Sequence, residues 1–233
     1  MSLTFASADP AAIPCHVISS GDLDDWLMGQ ESSIQVWVRG AGFTGALGTT
    51  CLVPGVQGSI AMALAGYGTE DARVRGRFHL AAAAAALPEG TYTLVGLPED
   101  RADEEALGWL LSGYAFGRYR AQSGASARLI APKGVDAARL EVIAAAEALI
   151  RDLINTPASD MGPDALEAAC RDLAESHGAE ISVITGTELL QKNFPLIHAV
   201  GRSAAEAPRL IDMRWGKVGP KLTLVGKGVC FDS

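Results

Sequence analysis

Short runs of β-forming residues alternate with alanine-rich, helix-periodic stretches, and this alternation limits the fold more than any other feature of the sequence. Strands separated by helical patterns of about 10–15 residues bury their apolar faces best as an α/β architecture. "SIQVWVRG" (Ser33 to Gly40), "TTCLVPG" (Thr49 to Gly55), "YTLVGLP" (Tyr92 to Pro98) and "ARLIAP" (Ala127 to Pro132) read as strands, each closed by Gly or Pro. "FHLAAAAAALPEG" (Phe78 to Gly90) reads as a helix of good helix formers stopped by Pro-Glu-Gly. "DEEALGWLLSGYAFGRYR" (Asp103 to Arg120) places Leu107, Leu110, Leu111 and Tyr114 on one helical face, with acidic residues where the helix dipole favours them.

A boundary follows this first α/β region, residues 1–132. Residues 133–156 carry a turn at Lys133-Gly134 and then a linker helix, with Leu140, Ile143, Ile150, Leu153 and Ile154 as its buried stripe. Pro157 ends that helix, because its ring pushes Thr156 out of the α region. Residues 157–233 read as the start of a second α/β domain. A helix begins at Gly162-Pro163, with Asp164 near its positive end and Leu166, Ala169, Cys170 and Leu173 as its apolar face. Then come a strand ("EISVIT"), a short helix ("TELLQKN"), a strand ("RLIDMRW") and a final strand from Lys221 to Val225.

Charge and cysteine usage narrow the function. A formal net charge of −8 argues against a phosphate-backbone partner, which needs clustered Lys and Arg, so nucleic acid is an unlikely ligand. Cys15, Cys51, Cys170 and Cys230 share no short spacing and read as reduced thiols of a cytoplasmic protein. The N-terminus lacks a signal-peptide pattern, and no apolar run approaches the roughly 20 residues a membrane span needs. His16, His79, His177 and His198 lack metal-ligand spacing, and Cys230 reads as a small packing residue. Trp26, Trp37, Trp109 and Trp215 read as core or interface anchors.

The chemistry concentrates at "LTLVGKGVCFDS", Leu222 to Ser233. Open α/β sheets place ligands where a strand spills into a glycine-flanked loop, and Gly226 and Gly228 flank Lys227. Asp232 lies five residues on, behind Cys230 and Phe231, where a buried carboxylate must be paired, hydrogen-bonded or metal-bound. A phosphate-binding loop would need an earlier glycine and a following hydroxyl, which this stretch lacks. A plain Gly-Lys-Gly turn is the other reading of the tripeptide.

"LVGKGVCFDS" resembles the metal-binding signature of the leucyl aminopeptidase (cytosol aminopeptidase) family, peptidase family M17. "RDLINTPASDMGPDAL" (Arg151 to Leu166) resembles that family's junction into the catalytic domain, and "FPLIHAVGRSAAEAPRLIDMRW" (Phe194 to Trp215) resembles the segment after it. The resemblance implies a hexameric exopeptidase holding two divalent ions (Mn, Zn or Mg), with peptides as substrates. Lys227 would ligate one ion and Asp232 would bridge both. The family's catalytic lysine and remaining ligands are expected beyond Ser233, so this chain alone is expected to hold only part of the site and to be inactive. The alternative is a non-catalytic assembly or regulatory module that keeps the aminopeptidase fold.

Overall fold

Five strands of the N-terminal unit form one sheet, in the order β2-β3-β1-β4-β5, in a computed structural model that describes residues 3–230. The strands are β1 (Ile13–Ser19), β2 (Thr50–Pro54), β3 (Ile60–Gly68), β4 (Gly90–Val95) and β5 (Ala127–Leu129). β1 runs parallel to both β3 and β4, β4 runs parallel to β5, and β2 pairs antiparallel with β3 at one edge. The fold is therefore α/β with a mixed sheet. The chain divides into two compact units, Met1–Arg151 and Asp152–Ser233.

The two central strands, β1 and β3, went unread in the sequence. β3, "IAMALAGYG", is rich in small residues that look helical. It sits between two neighbours and is buried from Ala63 to Gly68, where alanine and glycine let other backbone approach closely. Gly66 shows the constraint: a Cβ there would lie 2.0 Å from the Ala46 carbonyl oxygen.

Ser33 to Gly40 is not a strand. It belongs to helix α2 (Ser32–Gly40), which follows α1 (Leu23–Met28). Its β-branched residues suggest a strand, but their spacing decides otherwise. Ile34 and Val38 lie four apart and pack into one core cluster with Leu27, Phe43 and Leu64, while Val36 is 72% exposed. A strand would have put Ile34, Val36 and Val38 on one face. Only a 3.6-residue period buries the first and third and leaves the second in water.

α3 (Glu70–Arg73) follows β3, and α4 (Ala81–Ala86) is shorter than its flanking residues suggest. α5 (Ala102–Ser112) stops at Gly113 rather than running to Arg120, so Tyr114 lies outside the helix. Gly124 passes so close that a Cβ on it would meet the Gly113 backbone at 2.2 Å, a crossing that a longer helix would block. The main core joins these helices to the sheet. Trp109 is buried and donates from Nε1 to the Ala127 carbonyl at 2.8 Å, and Tyr92 donates from its hydroxyl to Pro88 O at 2.9 Å. Each such aromatic adds a large buried apolar area while its polar atom stays paired. Trp37 and Trp215, by contrast, are exposed rather than core anchors.

α6 (Ala137–Asn155) has 19 residues. Leu140 is buried and Ile143 packs against the core, but Ile150 and Ile154 are exposed, so the expected buried stripe holds only in the first half of the helix. In the second unit, α7 (Pro163–His177) begins with proline in its first turn and ends at Gly178, whose φ of 62° is the left-handed cap that glycine adopts freely. β6 (Glu180–Thr185) pairs antiparallel with β7 (Arg209–Arg214), and the connection carries α8 (Glu188–Gln191) and α9 (Pro195–Gly201). The final strand expected at Lys221 to Val225 does not form. A lone extended run gains no ladder hydrogen bonds, and no described strand lies beside this one. Among the described residues, no helix is long and apolar enough to cross a membrane.

Candidate functional site

Lys227 is exposed and lies in an irregular segment. Its flanking glycines do not make a tight turn. A Cβ on Gly226 or Gly228 would meet nothing within 4 Å, and neither has a positive φ, whereas Gly216 and Gly219 upstream do. Cys230 is exposed rather than packed. Asp232 lies outside the described residues. No group of three His, Cys, Asp or Glu that could hold a metal ion occurs among the described residues. The described residues therefore supply one of the two expected ligands, at the surface, and do not by themselves form a metal centre.

What the second unit does build is a polar latch between the start of α7 and the entry to β7. Arg209, in the "PRL" stretch, donates to the Asp164 and Glu167 carboxylates on α7 and, at 3.0 Å from Nη2, to the Ala207 carbonyl. Glu167 also accepts from Arg171, one helical turn on, at 2.8 Å. That bond first, and the Arg209 bond after it, hold the Glu167 carboxyl below the usual carboxylate range against a desolvation that would raise it. Glu206 accepts the Asp164 backbone N–H at 2.8 Å and lies over Gly162, so its negative charge sits at the positive end of α7. Asp164 thus takes the helix-start position expected of it and adds an ion pair across the unit.

The junction before α7 is held locally. Thr156, buried, donates from its hydroxyl to the Asp152 carbonyl at 2.7 Å, closing the end of α6 where Pro157 stops it. The Asp160 N–H donates to Pro157 O at 2.9 Å. Arg209 escaped the sequence reading as a structural centre. Its signal was an arginine directly after a proline at a strand start, with carboxylates at helical spacing (Asp164, Glu167) some forty residues earlier.

In the first unit the chemistry missed by sequence is Glu105. It is 1% exposed, yet its carboxyl oxygens accept from the Tyr67 hydroxyl at 3.0 Å and from the Leu80 N–H at 2.8 Å. Burial first, and Glu105 second, push the Tyr67 hydroxyl well above its ordinary range, so it stays a donor. The Arg73 guanidinium lies over the Tyr67 ring at 4.4 Å, and His79 meets its edge at 6.0 Å. The Glu105 hydrogen bonds tie β3 and the start of α4 to α5, and Arg73 ties α3 to β3 through the Tyr67 and Gly68 carbonyls, so the cluster acts as a structural joint.

Comparison with known proteins supplies what the exposed site residues do not. Residues 13–132 match the N-terminal domain of M17 aminopeptidases, and residues 148–233 match the catalytic domain of the cytosol aminopeptidase family. A probable cytosol aminopeptidase of Streptomyces avermitilis is 29% identical over 238 residues, covering 88% of this chain and 46% of that protein. The crystal structure of the cytosol aminopeptidase from Coxiella burnetii superposes with a TM-score of 0.83 at 31% identity, covering 94% of this chain and 47% of that one. The bottromycin maturation enzyme BotP in complex with Mn superposes with a TM-score of 0.65 at 25% identity, over 88% of this chain and 45% of that one. The chain thus spans about half the length of these relatives. With an M17 N-terminal domain occupying just over half of its residues and the matching catalytic domain beginning behind it, the chain belongs to the M17 aminopeptidase family.

Proposed function

We propose that this chain forms part of a metal-dependent aminopeptidase that releases N-terminal residues, such as leucine, from peptides in the cytoplasm. The observation that carries the reading is the order of the two matches: an M17 N-terminal domain over residues 13–132, then the catalytic domain from residue 148. The Coxiella burnetii enzyme's backbone, followed through both regions, supports it. In this reading residues 133–156 are a linker helix, whose last turns the catalytic-domain match already includes from residue 148, and residues 157–233 continue that domain. The assembled enzyme is a homo-oligomer, a hexamer by the family resemblance.

The cofactor called for is a pair of divalent ions, Mn²⁺, Zn²⁺ or Mg²⁺; Mn accompanies the related BotP. When bound, such ions supply Lewis acidity toward a carbonyl and lower the pKa of a bound water. Lys227 and Asp232 are assigned to them as ligands. Lys227 is exposed here, and its exposure is the feature that binding has to change.

The test is hydrolysis of leucine p-nitroanilide by the complete gene product with Mn²⁺. Lys227→Ala and Asp232→Ala are each expected to lower turnover by about 100-fold or more, the scale on which metal-site ligands act. Wild-type turnover in both variants would refute the site. A wild-type product inactive with all three metals would favour the non-catalytic module.

A further inference from the structure

At β2 the five-stranded sheet ends: β3 lies on one side of it and no described strand lies on the other. The ladder shows which groups β2 turns outward. Gly66 donates to the Thr49 carbonyl at 2.8 Å, and the register continues with Cys51 opposite Leu64 and Leu52 opposite Ala63. Hydrogen-bonded and non-hydrogen-bonded pairs alternate in an antiparallel ladder, so Thr50 and Leu52 aim their N–H and C=O away from β3. Such an edge is a template for a further strand, and proteins commonly blunt it with charged side chains. Here there are none, since residues 40–69 contain no Asp, Glu, Lys or Arg. The opposite edge is closed. Ala6 donates to the Leu129 carbonyl at 2.7 Å and bridges Ile130, and Arg128 of β5 is exposed.

Trp37, on α2, takes the place of the missing charge. Its Nε1 donates to the Leu52 carbonyl at 2.8 Å, although the residue is 49% exposed and water could accept the same bond. A strand added to β2 would lie about 4.8 Å out, in the space that this indole fills. Pro54 is a second obstacle, having no N–H to offer a neighbour. We infer that the β2 edge is a pairing surface for a second copy of this chain and that Trp37 holds it shut, keeping the sheets of separate copies apart. A second copy is the occupant that this edge fits. Two β2 strands running antiparallel about a dyad at Leu52 exchange that residue's N–H and C=O in both directions, as an isologous interface requires. With no charge on either strand, no like-charged pair opposes the match. The inference concerns the N-terminal unit alone and is independent of the aminopeptidase reading.

The experiment measures the mass of the 233-residue chain by light scattering as its concentration rises, and follows amide exchange at Thr50 and Leu52. Trp37→Ala is expected to reach about twice the wild-type mass, since mass action favours the paired form. In that dimer both amides should slow at least about tenfold. Trp37→Phe keeps a ring over the edge without the N–H, and is expected to dimerise more weakly than Trp37→Ala. Adding Leu52→Lys, at a residue 37% exposed, sets like charges across the dyad and is expected to return Trp37→Ala to the wild-type mass. Val36→Ala, at the neighbouring exposed side chain, is expected to change neither reading. Circular dichroism checks that each variant is folded, and if Trp37→Ala is not, Trp37→Phe carries the same test. The inference is overturned by a folded Trp37 variant that keeps the wild-type mass and exchange, or by a wild-type chain already paired through Thr50 and Leu52. It is equally overturned by a dimer in which those amides stay fast, or by one that Leu52→Lys leaves intact.

Discussion

Replacing Glu105 with alanine is expected to be the most damaging single polar change in the N-terminal unit. The side chain is 1% exposed and receives two hydrogen bonds, from Tyr67 Oη at 3.0 Å and from the Leu80 N–H at 2.8 Å. Truncation leaves both donors without an acceptor in a place water does not reach, and an orphaned buried donor costs about 1–3 kcal/mol. The expected loss is therefore about 2–6 kcal/mol, a large share of the 5–15 kcal/mol by which domains are typically stable. Tyr67→Phe leaves the buried Glu105 Oε1 without its donor and should cost about 1–3 kcal/mol. In the double variant only the Leu80 N–H is orphaned. It should therefore be little worse than Glu105→Ala alone, with a coupling of at least about 1 kcal/mol. Native-state hydrogen exchange at β3 and α5 amides reads the N-terminal unit separately, which a chain of two units requires. A loss below about 0.5 kcal/mol for Glu105→Ala, or additivity within that margin, would refute the accounting.

Arg209→Ala is expected to loosen β7 from α7 at a cost of about 1–3 kcal/mol, seen as faster exchange at β6 and β7 amides. Because Glu167 is held below its ordinary pKa, its contribution is complete above about pH 4.5 and disappears as pH falls through the lower folded value. Arg171 keeps the larger share of that depression in the variant, so its loss of stability below that pH should be only slightly shallower, and a steeper loss would refute the latch. Gly66→Ala should cost more than about 3 kcal/mol, because the added methyl would stand 2.0 Å from the Ala46 carbonyl oxygen and 2.4 Å from Thr49 Oγ1. A thermal midpoint within about 2 °C of wild type would show that the strand can move aside.

The start and end of α7 were legible because their signals are local. Pro163 in the first turn of α7, Asp164 beside it and the left-handed Gly178 act within a few residues and need no partner. α2 and β3 misled for the opposite reason. Val36 and Val38 favour strands by composition and the alanines of β3 favour helices, but what each buries depends on neighbours that are distant in the chain. The Glu105 cluster and the Arg209 latch were invisible in the same way, since their partners lie 25 to 45 residues apart. The candidate site divides along that line too. Lys227 and Asp232 stand out by spacing, whereas burying Lys227 takes neighbours that the described residues do not provide.

Sequence alone determined the α/β alternation, the beginning and end of α7, and the M17 resemblance, because caps, prolines and short motifs encode their physics within a few residues. Tertiary structure decided which strands lie at the centre and which carboxyl groups are buried. Burial and strand pairing are relations between separated segments, and their free energy belongs to no single stretch of chain.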